Sequence, residues 1–488
     1  MAVLASAFGD ALALHADRIA LSDPDHLLTY RDLDRLAEEA GRWPAALAGA
    51  GGVVRAGIQA PNSAAYVVAL LAMLRQGVVP FLIDGALGPE EVASIADQCS
   101  LDLLVHEADR EPAQGTAAGA LGAILELRVT ALRRDGRRHA LRPDTEVCRF
   151  TSGSTGHPHC IEFSGSAVSQ AAVNWAAGTG LRSDDRIACF AALSNGLAFN
   201  TSLLAAFHVG ASLHLTRGLP TGAHVSRVLE RTAATWLVGF PALYEAAVRR
   251  GLDRSVFDRV RIAISSGAPL RPETRAAFTE LTGVRISNYY GVAETGPLTF
   301  DPHPGAAAAD DGADGAALGT LLPGVVMEAG GEAPAEIRVR SASMGSGYLN
   351  APGLFEARVG ADGLYRTGDH GVLRGRELFL TGRTSRMINF GGRKVDPVEV
   401  GNVLRLLPAV RDAVVFEVTD RHGSPAVAAA VVAEPGLDVP ALRAHCRTSL
   451  AEYKVPGFFR LVDEIPANAI GKPSLDGLRR LVGADDHG

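Results

Sequence analysis

A loop rich in hydroxyl groups and glycines follows a strand-like segment near position 150. It runs Phe150-Thr151-Ser152-Gly153-Ser154-Thr155-Gly156-His157-Pro158. Glycines let backbone N–H groups turn inward and hydroxyls add donors, so such a loop can wrap a polyphosphate. A P-loop of the Walker type would need a lysine after its second glycine, and none follows here, which sets that class aside. A Ser/Gly-rich turn is also typical of a plain connection, so the loop by itself leaves both interpretations open.

Two later segments add carboxylates to the chemistry that this loop could support. The first, Asn288–Gly296, combines aromatic rings and a glycine with the lone carboxylate of Glu294. The second, Tyr365–Asp369, ends in a carboxylate beside a turn, and Arg383 and Lys472 each follow a glycine further along the chain. Taken singly, these residues are typical of a core position, a turn or a solvated charge. Their order along the chain is the informative feature.

Taken together and in this order, the segments resemble the adenylate-forming superfamily of acyl- and aryl-CoA synthetases, free-standing adenylation enzymes of natural-product pathways, and luciferases. The resemblance extends from Thr29-Tyr30 to Gly471-Lys472, nearly the whole chain. It implies an α/β and α+β fold: a large N-terminal domain of layered β-sheets and helices, with a β-rich subdomain at about 319–384, and a small mobile C-terminal domain. The implied domains are an adenylation core at 1–384 and a lid at 385–488, with the site in the cleft between them.

The resemblance also implies which residues bind ATP and which act in catalysis. The implied nucleotide-binding residues are Thr151, Ser152, Gly153, Ser154, Thr155 and Gly156 at the β- and γ-phosphates, Ser266, Gly267, Ala268 and Pro269 along the adenine, Tyr290 stacked on that ring, Asp369 at the ribose hydroxyls, and Arg383 near the ribose and phosphate. The implied catalytic residues are Glu294, which would hold Mg²⁺ through hard carboxylate oxygens, Thr295 beside the phosphates, and Lys472 at the α-phosphate and the substrate carboxylate.

The implied reaction is attack of a substrate carboxylate on the α-phosphorus of ATP, with release of pyrophosphate. Because two anions must meet, the site has to neutralise charge, which Mg²⁺ and Lys472 can do without a general base. The acyl-AMP then passes its acyl group to a thiol; CoA is the expected acceptor and the phosphopantetheine of an acyl carrier protein is the alternative. In the family, the small domain first rotates about a hinge, here Ser385, and Gly391 and Gly392 would leave room for the pantetheine arm.

Several positions depart from the family's pattern. His159 stands where the phosphate loop usually carries lysine and Cys160 where it carries glycine, so weaker ATP binding or slower pyrophosphate release is expected. Ala293 removes a hydroxyl donor next to Glu294. These changes leave open transfer to a non-thiol acceptor, such as an amine or nitrite, and a catalytically weakened member that only binds nucleotide. A metal site at His157, His159 and Cys160 is disfavoured because it lacks distant partner ligands.

The acid-binding pocket is assigned by an ungapped count back from Gly210-Ala211. The count places Leu197 where amino-acid-activating relatives carry the Asp that binds an α-ammonium group, which disfavours an α-amino acid. It places Asn195 where many acyl- and aryl-CoA ligases carry a gating His, and this amide could bind a polar substituent or simply form a turn before a glycine. The predicted lining, suited to an apolar or aromatic acid, is Asn195, Leu197, Phe199, Phe240, Tyr289 and Val292.

The elements that must position these residues alternate between helix and strand, which favours α/β layering. Thr29–Leu33 opens an amphipathic helix, Asn62–Leu74 predicts a second helix, and Val78–Asp84 predicts a buried strand. The segment Ile187–Thr216 carries no Asp, Glu, Lys or Arg, yet its polar residues favour strand, loop and buried helix over a membrane span. Low-complexity Asp301–Leu318 predicts a mobile surface loop. Further predicted elements are the strands Glu336–Arg340, Ala413–Val418 and Ala426–Val432 and the helix Val398–Leu407.

Composition narrows the classes of partner. The chain has 488 residues and a net charge of −7, so no basic surface indicates nucleic acid or an anionic membrane as a partner. The expected partners are a small carboxylic acid and the thiol acceptor, and the sequence carries no signature of an oligomeric state. Five scattered cysteines favour the reducing cytoplasm, the N-terminus does not read as a secretory signal, and no G-x-S-x-G motif supports a serine hydrolase.

Overall fold

The structure is a computed structural model of the chain. It describes residues 2–41, 53–110, 112, 117–133, 138–151, 158–218, 220–267, 270, 272–301, 316–383, 387–390, 393–421, 423–466, 477–479 and 481. The chain forms two compact units. The larger comprises residues 1–85, 96–150 and 160–384, and the smaller comprises 86–95, 151–159 and 385–488.

Helices and strands alternate through most of the chain. The helices are α1 (Val3–Leu14), α2 (Tyr30–Ala40), α3 (Ala64–Arg75), α4 (Pro89–Cys99), α5 (Gly165–Thr179), α6 (Gly196–Ala198), a π-helix (Phe199–Leu204), α7 (Ala205–Val209), α8 (Gly222–Thr232), α9 (Pro241–Arg250), α10 (Pro272–Thr282), α11 (Pro397–Arg405) and α12 (Val439–Ser449), with 3₁₀ turns at Arg254–Phe257, Glu356–Arg358 and Glu452–Lys454.

The strands belong to four sheets of the described residues. They are β1 (Ile19–Ser22), β2 (Leu27–Thr29), β3 (Arg55–Gln59), β4 (Val79–Ile83), β5 (Leu103–Glu107), β6 (Ala117–Ile124), β7 (Leu127–Leu132), β8 (Thr145–Thr151), β9 (His159–Ser164), β10 (Arg186–Cys189), β11 (Ser212–Leu215), β12 (Trp236–Gly239), β13 (Ile262–Ser265), β14 (Ile286–Val292), β15 (Gly296–Phe300), β16 (Ala316–Leu321), β17 (Val326–Glu328), β18 (Ala335–Arg340), β19 (Gly347–Tyr348), β20 (Tyr365–Arg374), β21 (Glu377–Arg383), β22 (Ile388–Phe390), β23 (Arg393–Val395), β24 (Val410–Thr419), β25 (Pro425–Ala433) and β26 (Phe458–Leu461).

The largest sheet has 13 strands in the order β17-β18-β20-β21-β16-β15-β14-β13-β12-β10-β11-β1-β2. Strands β14, β13, β12, β10, β11 and β1 pair in parallel, so helical crossovers must connect them. Helices α8, α9 and α10 provide three of these crossovers and bury an aromatic cluster that includes Tyr244 and Phe278. From β14 to β17 the pairing becomes antiparallel.

A second sheet of eight strands has the order β19-β9-β8-β4-β3-β5-β7-β6. Helix α3 is packed against the core on every side, since its residues from Ala64 to Leu74 are all buried. A helix that is apolar all round needs such a setting, and the Ser63 hydroxyl begins it by accepting from the N–H of Tyr66 at 3.1 Å. These layers of helix and sheet confirm the predicted α/β fold class.

The structure confirms several predicted elements and corrects others. The uncharged segment Ile187–Thr216 forms β10, short helices and β11, and no described helix has the length and apolar character needed to cross a bilayer. In the β-rich stretch at about 319–384, strands β17, β18, β20 and β21 belong with β16 to the 13-stranded sheet, and β19 pairs with β9 in the eight-stranded sheet. The bounds of a subdomain there stay a prediction. The predicted surface loop at Asp301–Leu318 is wrong at its end, because Ala316–Leu318 already belongs to β16; positions 302–315 lie outside the described residues.

The smaller unit is built on a three-stranded sheet, β24-β25-β26, with α11 and α12. A cationic group lies in its core: the ammonium of Lys454 is 2.6 Å from Glu91 Oε1 and 2.7 Å from Glu399 Oε1, and all three side chains are buried. Removing one member of such a buried network is costly because it leaves the others unpaired. Lys454 therefore stabilises this unit.

His214 predicts how the larger unit responds to acid. Its ring lies on β11 with Nδ1 2.8 Å from the Ser22 hydroxyl on β1, and burial lowers its pKa to about 4. The unfolded chain therefore binds the proton more tightly between pH 6.5 and 4, and stability falls as the pH falls through this window. Between pH 7 and pH 5, His214 should lower the unfolding free energy of the parent by about 2 kcal/mol. The His214→Gln variant should lack this part of the decrease.

Urea unfolding followed by tryptophan fluorescence measures this difference, since Trp175 and Trp236 are buried in the larger unit. A matched control is His445→Gln in the smaller unit, which should leave the pH dependence of that signal as in the parent. Equal losses in His214→Gln and the parent would contradict the prediction.

Candidate active site

The turn between β14 and β15 brings an aromatic strand, a glycine and a carboxylate together. Gly291 is required there by close approach, because a Cβ at this position would lie 2.4 Å from the Gly296 carbonyl oxygen. Glu294 is half-buried on the turn. Thr295 is fully buried, and its hydroxyl donates to the turn carbonyls of Gly296 at 3.2 Å and Val292 at 3.4 Å. The Thr295 hydroxyl therefore holds the turn that presents Glu294.

The second carboxylate lies against the aromatic strand. The Tyr290 hydroxyl donates to Asp369 Oδ2 at 2.8 Å, and both side chains are buried. The backbone N–H of Asp369 donates to the Thr367 hydroxyl at 3.1 Å, which fixes the start of the bend that carries the carboxylate. Arg383 is the register partner of Asp369 on β21. The structure thus brings together Tyr290, Asp369 and the backbone of Arg383, far apart in sequence.

Glu294 is oriented by a residue that sequence reasoning missed. The Tyr348 hydroxyl donates to Glu294 Oε1 at 2.7 Å and lies 3.4 Å from the Tyr365 hydroxyl. Among the described residues, no Lys or Arg nitrogen lies within 4.0 Å of Glu294. A carboxylate that is held at one oxygen and has no protein cation at contact distance fits Mg²⁺, which takes few protein carboxylates and completes its shell with phosphate and water oxygens.

The segment expected along the adenine follows β13. The Ser266 hydroxyl donates to the Tyr289 carbonyl at 2.9 Å, which ties this segment to β14. Gly267 adopts a φ of +80°, a conformation that favours glycine. Ala268 and Pro269 lie outside the described residues.

The predicted acid pocket divides into buried walls and one exposed residue. Leu197, Phe199, Tyr289 and Val292 are buried, and Phe240 is partly buried at the start of α9. Asn195 is exposed, and its side-chain oxygen accepts from the N–H of Leu197 at 2.9 Å as the cap of α6. This contact fits the interpretation of Asn195 as a turn residue, and its part in the acid pocket stays a prediction.

A buried arginine, also missed from the sequence, lies among these walls. The Arg149 side chain on β8 is 4% exposed, with its Cζ 4.3 Å from the ring centroid of Phe163 and 5.9 Å from that of Phe199. Burial lowers its pKa to about 10, opposed by Tyr289 and Glu294, so it remains a cation at neutral pH. An arginine inside the apolar strand Val147–Phe150 was the available signal.

Of the remaining predicted residues, a few are described by the structure and most are not. Thr151 ends β8, and His159 begins β9 with only 8% of its surface exposed. The other expected phosphate-loop residues, the hinge, the acceptor glycines and the catalytic lysine lie outside the described residues: Ser152, Gly153, Ser154, Thr155, Gly156, Ser385, Gly391, Gly392 and Lys472. Their roles stay predictions.

The chain belongs to the AMP-binding enzyme family, whose profile matches residues 8–349. The profile of the AMP-binding enzyme C-terminal domain matches residues 399–472. Both parts expected from the resemblance are therefore present.

Named relatives cover nearly the whole chain. A CoA ligase for a methyl-dioxo-octahydroindenyl propanoyl group from Mycobacterium tuberculosis is 30% identical, over 88% of this chain and 89% of its own. A 4-chlorobenzoate–CoA ligase from an Arthrobacter species is 28% identical, over 96% and 92%. The solved structure of an amide bond synthetase from Marinactinospora thermotolerans superposes with a TM-score of 0.80 at 26% identity, over 98% and 99%.

The Tyr290–Asp369 pair predicts a separable effect on nucleotide binding. We expect Asp369→Asn to raise the KM for ATP about 10- to 150-fold, because a charged acceptor for two hydroxyls is lost. Tyr290→Phe keeps the ring and loses one neutral donor, so its KM should rise at most about tenfold. Steady-state kinetics of pyrophosphate release with varied ATP measure both, and equal effects in the two variants would contradict the assignment.

Proposed function

We propose that this chain is an ATP-dependent carboxylic acid ligase. A substrate carboxylate attacks the α-phosphorus of ATP, the bond to the β-phosphate oxygen breaks, and pyrophosphate leaves. The resulting acyl-AMP transfers its acyl group to a thiol, releasing AMP. The single observation that carries the proposal is the convergence of Tyr290 and Asp369 in one compact unit whose sequence matches the family over residues 8–349.

The nucleotide roles follow from the placement of these side chains. Asp369 would accept from the ribose hydroxyls, and the Tyr290 ring beside it would lie against the adenine. Glu294, already oriented by Tyr348, would hold Mg²⁺. The bound ion would neutralise phosphate charge; the chain's own residues bind and orient the two anions that react.

Lys472 is the proposed catalytic cation of the smaller unit. Only three of the chain's 47 Lys and Arg residues are lysines: Lys394, Lys454 and Lys472. Lys454 is engaged by Glu91 and Glu399. A compact ammonium on a flexible stem suits a charge that must approach and leave the α-phosphate, whereas an arginine fork would bind a phosphate more persistently.

The proposed acceptor is CoA, as the names of the CoA ligases among the relatives suggest. The lid at 385–488 would turn about Ser385 after adenylation, and Gly391 and Gly392 would admit the pantetheine arm. Two acceptors remain as alternatives: the phosphopantetheine of a carrier protein, and an amine, which the 26% identity to an amide bond synthetase favours.

We also propose a cytoplasmic location. All five cysteines are free and buried, including Cys99, Cys148 and Cys160, which lie close together in the larger unit. Free cysteines are typical of proteins that function in a reducing compartment.

Pyrophosphate release over a panel of acids tests the proposed function. The panel should contain aromatic, aliphatic and amino acids, and each acid that is active should then be offered CoA, a carrier protein and amines. Acid-dependent pyrophosphate release followed by thioester formation supports the ligase. Nucleotide binding without pyrophosphate release for any acid would instead indicate the weakened member.

Lys472→Ala gives a test specific to the lid. We expect acyl-AMP formation to fall at least about 100-fold while ATP binding changes little, because the lysine acts on charge that develops in the transition state. Pyrophosphate exchange and calorimetric ATP titration measure the two effects. Arg411→Ala is the matched control, since it removes an exposed ion pair with Glu434 in the same unit. Parental exchange in Lys472→Ala would refute the assignment.

A further inference from the structure

Arg149 is a buried cation without a carboxylate beside it. Among the described residues, no Asp or Glu oxygen lies within 4.0 Å of its guanidinium. Nη2 donates to the Ala293 carbonyl oxygen at 3.4 Å, and Nε is buried without a hydrogen-bond partner. Arginine is rarely buried without a partner, since the charge loses its hydration. Most of its five donors are therefore available to a ligand.

The guanidinium lies where the predicted acid pocket is. It stacks on Phe163 and approaches Phe199, and it bonds the peptide that precedes Glu294. Gly196 leaves space for it, because a Cβ at that position would lie 2.6 Å from Nη1. The backbone of Gly196 is not in the left-handed region, so its conformation does not require glycine. The space for the guanidinium is therefore the reason for a glycine at this position.

A second unpaired polar group lies next to the same glycine. Asn200 is 2% exposed, its Oδ1 is buried without a hydrogen-bond partner, and its Nδ2 lies 3.8 Å from the position of a Gly196 Cβ. It belongs to the π-helix, an irregularity that is frequent at functional sites. Two buried polar side chains with unused capacity therefore flank one glycine.

We propose that Arg149, with Asn200 beside it, binds a second carboxylate of the substrate, so that the acid activated by this chain is a dicarboxylic acid. A guanidinium fork can bind both oxygens of a carboxylate. The Nδ2 group of Asn200, which faces the same glycine, can donate to one of them, whereas its Oδ1 is an acceptor and does not contribute. The aromatic residues then form the walls of the pocket, and Arg149 binds the carboxylate at one end of the substrate. This inference rests on the proposed function and deepens it by naming the substrate class.

Paired substrates test the inference directly. The wild-type enzyme should prefer each of succinate, glutarate and phthalate to its monomethyl ester, measured as kcat/KM for pyrophosphate release. In Arg149→Met this preference should fall roughly 10- to 150-fold, mainly through KM for the diacid. A wild type that turns over the esters as well as the diacids, or a variant with the parental preference, overturns the inference.

Two further variants separate recognition from structure. Gly196→Ala should lower the same preference by pushing the guanidinium aside while the charge is kept. Arg374→Met is the matched control: Arg374 is exposed and stacks on Phe379 at 5.1 Å, so its loss should leave the preference as in the wild type. Arg149→Met should melt no lower than wild type, since a buried unpaired charge costs stability. A lower melting temperature with both substrates equally impaired would show a structural role and overturn the inference.

A binding measurement keeps this inference separate from the proposed function. With a non-hydrolysable ATP analogue present, phthalate should raise the melting temperature of the wild type and not of Arg149→Met. If the shift appears but no acid releases pyrophosphate, the ligase proposal fails and the dicarboxylate site stands. If monocarboxylic acids release pyrophosphate and phthalate gives no shift, the ligase stands and the dicarboxylate site fails.

Discussion

The hydrogen bond between Tyr290 and Asp369 requires the large sheet to curl. Their strands, β14 and β20, are separated in sheet order by β15, β16 and β21. On a flat sheet, four strand spacings would place them about 19 Å apart. Yet the two side chains meet at 2.8 Å, a gap that a tyrosine and an aspartate can bridge only if the sheet bends back on itself.

The sequence provides for this bend at particular places. The register shifts at Tyr290/Gly291 and at His370/Gly371, next to the two bonded residues, and such bulges increase local twist and bend. A Cβ at Gly371 would lie 2.5 Å from the Phe379 carbonyl, so glycine permits the close approach. Tyr348 reaches Glu294 from β19, an edge strand of the eight-stranded sheet, so this contact joins the two sheets. The contact between Tyr290 and Asp369 thus depends on one distortion of the large sheet.

The sequence indicates the candidate site residues that lie in short motifs, but not the residues that contact them in the folded chain. Glu294 and Asp369 were identifiable from their order along the chain, and Tyr290 from its aromatic strand, because each lies in a short motif. Tyr348 was missed because it meets the site through a long-range contact that no local pattern encodes. Arg149 did carry a local signal, an arginine in an apolar strand, but its ring and carbonyl partners are set by the tertiary fold. Periodicity also could not show that the strands between 319 and 384 divide between two sheets, with β19 in the eight-stranded sheet and the others in the large one, because pairing partners are set by tertiary contacts.

The buried charge of Arg149 adds an electrostatic argument about the site. Adenylation requires an anionic acid to approach an anionic nucleotide, and Glu294 adds a third negative group on the same turn. The guanidinium interacts favourably with Glu294 without forming an ion pair at contact distance. Its positive charge is therefore only partly compensated by groups of the protein. In a medium of low dielectric this remaining field is strong. A buried cation of this kind lowers the free energy of bringing a further anion into the pocket. It favours an acid that places a negative group beside the guanidinium.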